Sequence, residues 1–381
     1  MKMNPTIPPY HGKHIRPRRL PHWALKSAVA LASLTAAAFA EPRYTITELP
    51  TPAGYEFSVA YHINDQGFVA GASTRPYDPN GMVATTWKNG AATLLGQLKD
   101  GTYSLASAIN SKGVVVGEGD DGDGRPLGWV LSGGKLVNFF SNNGGNTRPL
   151  AINDAGEIGG YYIKGFSNNW RGAIWKIDAK DARKSVKIDL PVLPGGDPTT
   201  ASAIPFGFNK TNQAAGWASN SQVSQHAAFW MNDAAHTIVD LGVFGSDWSS
   251  EASNLNDFGQ VVGASHPPFG SRPVMWHNDP AHTAYELPLL PGDNYGNANL
   301  INNEATMVGF SAASEPGTWN VTPGKLVVWI DGVVYDLQSL VAATAPDWTI
   351  SEILDINNLG QLCGHGIRNG QTHAIVLNPV R

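Results

Sequence analysis

The sequence predicts an all-β protein, a seven-bladed β-propeller of four-stranded blades whose last blade is closed by the mature N-terminal strand. Three observations carry that expectation: a motif repeated seven times, a composition rich in turn formers, and an N-terminal segment that matches what the last repeat lacks. Of 381 residues, 42 are Gly and 26 are Pro, and only 15% are charged, which disfavours long helices and coiled coils. With 42% apolar residues the chain can bury a sizeable core, so wholesale disorder is excluded.

The repeated element is an apolar residue, Asn, two variable positions, usually Gly, then an apolar stretch ending in Gly. It runs from Ile63-Asn64 to Gly71, Ile109-Asn110 to Gly117, Ile152-Asn153 to Gly160, Phe208-Asn209 to Gly216, Leu255-Asn256 to Gly263, Ile301-Asn302 to Gly309, and Ile356-Asn357 to Gly364. Successive Asn residues are 46, 43, 56, 47, 46 and 55 positions apart, so the extra residues belong in loops. Each copy reads as a β-hairpin with a turn built on Asn and Gly. Asn212 and Ala305 replace the turn Gly in the fourth and sixth copies.

A second hairpin follows each element, marked by Trp87, Trp129, Trp175, Trp230, Trp276 and Trp329, with Leu377 in the last copy. Its return strand carries an acid-Leu pair, as in Asp189-Leu190, Asp240-Leu241, Glu286-Leu287 and Asp336-Leu337. Four strands per repeat is the content of a propeller blade. The final copy stops after three strands, and Tyr44 to Leu49 supplies the missing one, ending in Glu48-Leu49. That segment is expected to pair with the strand around His373 to Leu377 and so remove the open sheet edge. An open solenoid would instead need caps at both ends, and none is visible.

Residues 1–40 contain six Lys or Arg and no Asp or Glu, then an apolar run from Ala28 to Phe39 and the small-residue site Ala38-Phe39-Ala40. They read as a signal peptide cleaved before Glu41, leaving 41–381 as a single propeller that is secreted or periplasmic and carries no membrane anchor. The mature chain has a net charge of −11, which argues against nucleic-acid binding. Cys363 is the only cysteine, so no internal disulfide forms and the chain is expected to be a monomer held by packing alone.

The stretch Gln225-His226-Ala227-Ala228-Phe229-Trp230, together with Thr372-His373-Ala374-Ile375 and the Ile-Asn-x-x-Gly copies, resembles the HAF-repeat extracellular proteins, over essentially all of the mature chain. The resemblance implies secretion and a repeat propeller, and no shared chemistry.

Four positions before each blade Trp stand Val83, Arg125, Arg171, His226, Arg272, Lys325 and His373, six of them basic. They are either a cationic ring for acidic polysaccharide or cross-strand partners of the acid-Leu acids; repetition in nearly every copy favours the scaffold reading. The loops joining strands two to three and four to one emerge on one face and hold nearly all the length variation, so that face is the expected working surface. It carries Tyr55, Tyr103, Trp248, Tyr295 and Trp348 beside acids, plus Trp170 and Trp319, a set suited to stacking on sugar rings. The competing reading folds each aromatic over its own blade edge.

Residues 118–124, Glu-Gly-Asp-Asp-Gly-Asp-Gly, have an acidic pattern with Asp121 and Asp123 as calcium candidates, but the ligand spacing fails and a polar turn reads better. Standard catalytic signatures are absent. A multi-blade site could still draw on His266, Arg272, Asp293 and Tyr295. Asp355 and His365 flank a repeat hairpin and are expected to serve it. The sequence therefore points to a non-catalytic binding module for glycans or proteins without a cofactor, and alternatively to a polysaccharide lyase or glycoside hydrolase.

Overall fold

The repeated Asn explains where each hairpin begins. In a computed structural model, Asn64 Oδ1 accepts the backbone N–H groups of Gln66 (3.0 Å) and Phe68 (2.9 Å), and Gly67 N–H donates to the Asn64 carbonyl. This is a three-residue loop that ends in a left-handed residue. The structure describes residues 43–380 except 77, 79–80, 123, 140–145, 164–169, 179–180, 196–200, 220–224 and 315–323. The expected signal peptide, Trp319 and Asp123 lie outside the described residues.

The chain opens with β1 (Tyr44–Glu48) and then runs through β2 (Phe57–Ile63), β3 (Val69–Thr74), β4 (Met82–Lys88) and β5 (Ala91–Gly96). Next come β6 (Ser104–Ile109), β7 (Val115–Gly119), β8 (Leu127–Ser132) and β9 (Lys135–Asn138). They are followed by β10 (Thr147–Ile152), β11 (Glu157–Ile163), β12 (Trp170–Lys176), β13 (Val186–Asp189), β14 (Ala203–Phe208), β15 (Ala214–Ser219), β16 (Gln225–Trp230) and β17 (Ile238–Gly242). The remainder is β18 (Ser249–Leu255), β19 (Val261–His266), β20 (Arg272–Trp276), β21 (Ala284–Glu286), β22 (Tyr295–Ile301), β23 (Met307–Ala312), β24 (Lys325–Ile330), β25 (Val333–Asp336), β26 (Trp348–Ile356), β27 (Leu362–Arg368) and β28 (Gln371–Pro379).

These strands form four-stranded antiparallel sheets, the content of a β-propeller. The sheets β10–β13 and β14–β17 are joined by one parallel residue pair, Arg171 with Ala203. The last sheet has the order β1-β28-β27-β26, so the N-terminal strand does complete it. Tyr44 pairs with Pro379 and Glu48 with Ile375, and Leu49 N–H donates to the Ala374 carbonyl at 2.9 Å. The Glu48-Leu49 pair takes the place expected of an acid-Leu pair, with Glu48 Oε1 3.0 Å from His373 Nδ1.

Two features of the repeat acquire physical reasons. The first strand of each copy bulges, with register shifts at Ala60/His62, Ala106/Ala108, Pro149/Ala151, Pro205/Gly207, Ala252/Asn254, Ala298/Leu300 and Ile353/Asp355. Opposite each bulge lies the terminal Gly of the motif. A Cβ on Gly263 would stand 2.0 Å from the Glu251 carbonyl oxygen, and one on Gly309 1.9 Å from that of Asn297, so no side chain fits. The turn geometry is also common to every copy: Asn212 and Ala305 adopt φ of 61° and 57°, the same left-handed region as the Gly residues they replace. Backbone geometry, and not residue identity, is what the turn repeats.

Between the sheets lie the tryptophans. Trp87, Trp129, Trp175, Trp230, Trp276 and Trp329 are all fully buried, each in a different hydrophobic cluster from its neighbours along the chain. Trp87, Trp230 and Trp329 each donate their indole N–H to a proline carbonyl, of Pro50, Pro191 and Pro288, which ties the loop after an acid-Leu pair onto the sheet.

Candidate functional site

The first strands of all seven copies line one central cavity of about 330 Å³. At its turn end the motif asparagines join in a chain of amides. Asn64 Nδ2 donates to the Asn110 carbonyl (2.9 Å), Asn110 to that of Asn153 (3.0 Å), Asn209 to Asn256, Asn256 to Asn302 and Asn302 to Asn357 (each 3.1 Å), and Asn357 back to Asn64 (3.0 Å). One link differs: Asn153 turns its amide to Asn212 Oδ1 and Glu157 Oε2. The sequence reading assigned Asn a backbone role within its own turn; the link to the following copy has no local signature, because its acceptor lies some 50 residues away.

The opposite end, where the variable loops emerge, is not repeated. One residue past the terminal Gly the copies carry Ala72, Glu118, Tyr161, Trp217, Ala264, Phe310 and His365, and these pair in register with first-strand residues such as Leu105, Arg148 and Glu352. Around the second and third copies this position builds a polar and aromatic wall. Arg148 Nε lies 3.4 Å from Glu118 Oε2, with the Glu118 side chain only 13% exposed and that of Arg148 41%. Arg148 faces Tyr161 across the β10–β11 pair, and Tyr161 meets Trp170 edge to face at 5.2 Å.

Burial pushes the Glu118 carboxyl above the ordinary carboxylate range, and Arg148 offsets this only in part. Burial, then the Glu118 charge, raises the Tyr103 phenol to about 12, Arg148 opposing. Tyr61 is raised by burial and by the charges of Glu352 and Glu118. Asp120 behaves oppositely. Burial would raise it, but the N–H groups of Tyr103 (3.0 Å) and Thr102 (2.6 Å) and the Thr102 hydroxyl (3.0 Å) hold its carboxyl below the usual range, so Asp120 fixes the loop that presents Tyr103. Sequence reasoning singled out Tyr103 and Trp170 and missed Glu118, Arg148 and Tyr161 as a group. The available signal was the variability of the position after an invariant Gly.

Among the other residues expected at the site, Trp248 is 70% exposed on the loop side, its N–H bonded to the His266 carbonyl. Tyr55 lies half-buried under Arg75, whose guanidinium carbon is 6.0 Å from the ring centre. Trp348 corrects the expectation of a binding surface: it is 6% exposed, packed edge to face on His373 and beneath Arg368, so it covers its own sheet. The set His266, Arg272, Asp293 and Tyr295 comes from adjoining strand ends, since Arg272 pairs in register with Ser265 and Ser271 bridges Tyr295. No hydrogen bond or ion pair among the described residues joins any two of them. Arg272 is held by Glu286 (3.2 Å) and Asp247 (3.5 Å), Asp293 accepts from the Ser311 hydroxyl at 2.6 Å, and Tyr295 pairs through its backbone with Ser271.

Four of the six basic positions find acids on the return strand: His226 with Asp240 (2.9 Å), Arg272 with Glu286, Lys325 with Asp336 (3.5 Å) and His373 with Glu48, while Arg171 donates to the Ala201 carbonyl. These four serve the sheets as cross-strand ion pairs. Asp355, from a flanking position, accepts the Ile63 N–H at 2.9 Å and lies 3.6 Å from His62, joining β26 to β2. Among the described residues no group of three or more His, Cys, Asp or Glu side chains is placed to hold a metal ion, and no helix is long and apolar enough to cross a membrane.

No family model matches the chain, and no curated protein matches it. Solved structures do. The β-propeller domain of the Trilobed protease from Pyrococcus furiosus, described as having an open velcro topology, aligns over 85% of this chain and 95% of its own, with a TM-score of 0.54 and 10% identity. An oligogalacturonate lyase from Vibrio parahaemolyticus aligns over 87% and 93%, with a TM-score of 0.53 and 11% identity. YCF48 bound to D1 peptide aligns over 89% and 97%, with a TM-score of 0.53 and 13% identity. The chain is similar in fold to all three, and a protease domain, a lyase and a peptide-bound protein share it, so the architecture is a β-propeller and the chemistry must be argued from the site.

Proposed function

We infer that the chain is a seven-bladed, secreted, non-catalytic propeller of the HAF-repeat kind that binds carbohydrate on its loop face. The observation that carries this reading is the wall of Tyr103, Tyr161 and Trp170 around the half-buried Glu118–Arg148 pair. Aromatic faces and edges offer apolar area to sugar rings, while a carboxylate and a guanidinium offer an acceptor and donors for hydroxyl groups. The charges of Glu118 and Glu352 both act on Tyr61, with Arg148 beside Glu118, so neutral glycans suit the wall better than acidic polysaccharides. The seven copies of the motif and the amide chain that returns from Asn357 to Asn64 support the blade count.

Affinity electrophoresis against neutral and acidic glycans tests this. Retardation by a neutral glycan, abolished in Tyr161→Ala with melting temperature retained, is the expected result; no retention on any glycan sinks the carbohydrate reading and leaves protein ligands. One observation favours a second reading as a lyase or hydrolase: Glu118 carries a raised carboxyl, suited to donating a proton to a bound sugar, beside the charge of Arg148. Reducing-end release, or absorbance from unsaturated uronic ends above a Glu118→Gln control, would establish it.

A further inference from the structure

At the turn end of the central cavity the residue following the motif Asn is Asp65, Asp154 or Asp257 in three copies and an amide or hydroxyl in three others; Lys210 alone is basic. Its backbone N–H donates to Asp257 Oδ1 at 3.0 Å, as those of Ser111, Asp257, Asn303 and Asn358 donate to the following copy. Its side chain leaves that pattern. The Lys210 ammonium reaches Asp65, 145 residues away, at 2.9 Å, and stands 3.6 Å from Asp257 Oδ2. Both carboxylates have partners besides the Lys210 ammonium, Asp65 the backbone and side-chain N–H groups of Asn358 (2.9 and 3.1 Å) and Asp257 the Asn303 amide (2.8 Å). A cation spanning two anions across the rim of a cavity is a crossbar.

We propose that Lys210 shuts the turn-end mouth of the central cavity, so that small molecules reach its interior from the loop face. The Lys210 side chain is 51% exposed, and exposed ion pairs are weak and screened by salt, so the bar opens transiently and more often as ionic strength rises. Ser107, which lines the cavity beneath this mouth, provides a place to read access. The protein's own Cys363 is fully buried and sets a low background.

The test is the rate of N-ethylmaleimide labelling of a Ser107→Cys protein with and without Lys210→Met. Removal of the bar is expected to speed labelling by about tenfold, and about 1 M NaCl should speed it in the Lys210 protein but not in the Met variant. Equal rates with and without Lys210 at low salt overturn the proposal. Asp65→Asn keeps a side chain that can still accept from Asn358 while removing the charge, and should label faster than the parent; it carries the test if Lys210→Met melts at a lower temperature. Equal rates for Asp65→Asn and the parent would likewise overturn it.

Discussion

The two ends of the central cavity are built on opposite principles. At the turn end every copy does the same thing: an Asn closes its own turn, and in all but one link its amide reaches the carbonyl of the next Asn. At the loop end the equivalent positions differ from copy to copy, and Glu118, Arg148, Tyr161 and Trp170 gather as a polar and aromatic wall. What is repeated maintains the scaffold, and what breaks the repeat is free to be chemistry. The Trp residues follow the same division: those in phase with the repeat are fully buried, while Trp170, out of phase, lies in the wall.

That contrast can be broken most severely at the closing strand. Deleting residues 43–49 strips β28 of its partner and removes Tyr44 and Leu49 from two separate clusters, and it should abolish a cooperative melting transition seen by calorimetry. Next is the bulge. Gly263→Ala should cost about 3 kcal/mol or more in urea unfolding, because its Cβ meets a backbone oxygen that cannot move aside, whereas Ala264→Ser one residue later should be far milder. Third is the amide chain: Asn302→Ala loses two accepted turn bonds and the donation to Asn357, and should cost about 2–3 kcal/mol.

At the loop end the expected effects are smaller and appear in titration. The Glu118 carboxyl is raised, so the folded state favours its protonated form. Its contribution to stability is present below the ordinary carboxylate range and is lost as pH rises from there through the raised folded value. Glu118→Gln should flatten that part of the stability profile, measured by melting temperature between about pH 4 and 7, and leave the turn end untouched. The smallest effect is a gain: Ala305→Gly relieves a left-handed alanine and should add about 0.5–1 kcal/mol. A loss there would show that the turns are not interchangeable.

The fold was legible because its signals are local and recur. Asn, turn Gly, terminal Gly, Trp and the acid-Leu pair each mark a strand boundary or core position, and even the closing strand could be recognised from Glu48-Leu49. The site was less legible for a physical reason. Glu118 and Arg148 belong to neighbouring copies and meet only because the sheets pack face to face, so neither residue carries a spacing that betrays the other. Arg272 and Asp293 share a face with His266 and Tyr295 by the same reckoning, yet the Arg272 and Asp293 side chains are held by Glu286 and Ser311, since position on a face does not fix where a side chain finds its partner. Trp348 likewise satisfied the pattern of an acid beside an aromatic and lies beneath Arg368.

The pairing of β1 with β28 sets the order in which this protein can be finished. Tyr44 leaves the ribosome long before Pro379, its pairing partner, so β1 must wait for β28 to find its place. Until then both partners remain as sticky ribbons at the two ends of a nearly complete circle, available to a neighbour's copy as readily as to each other. Loss of a dozen residues at the carboxyl end would therefore unfasten the amino end as well.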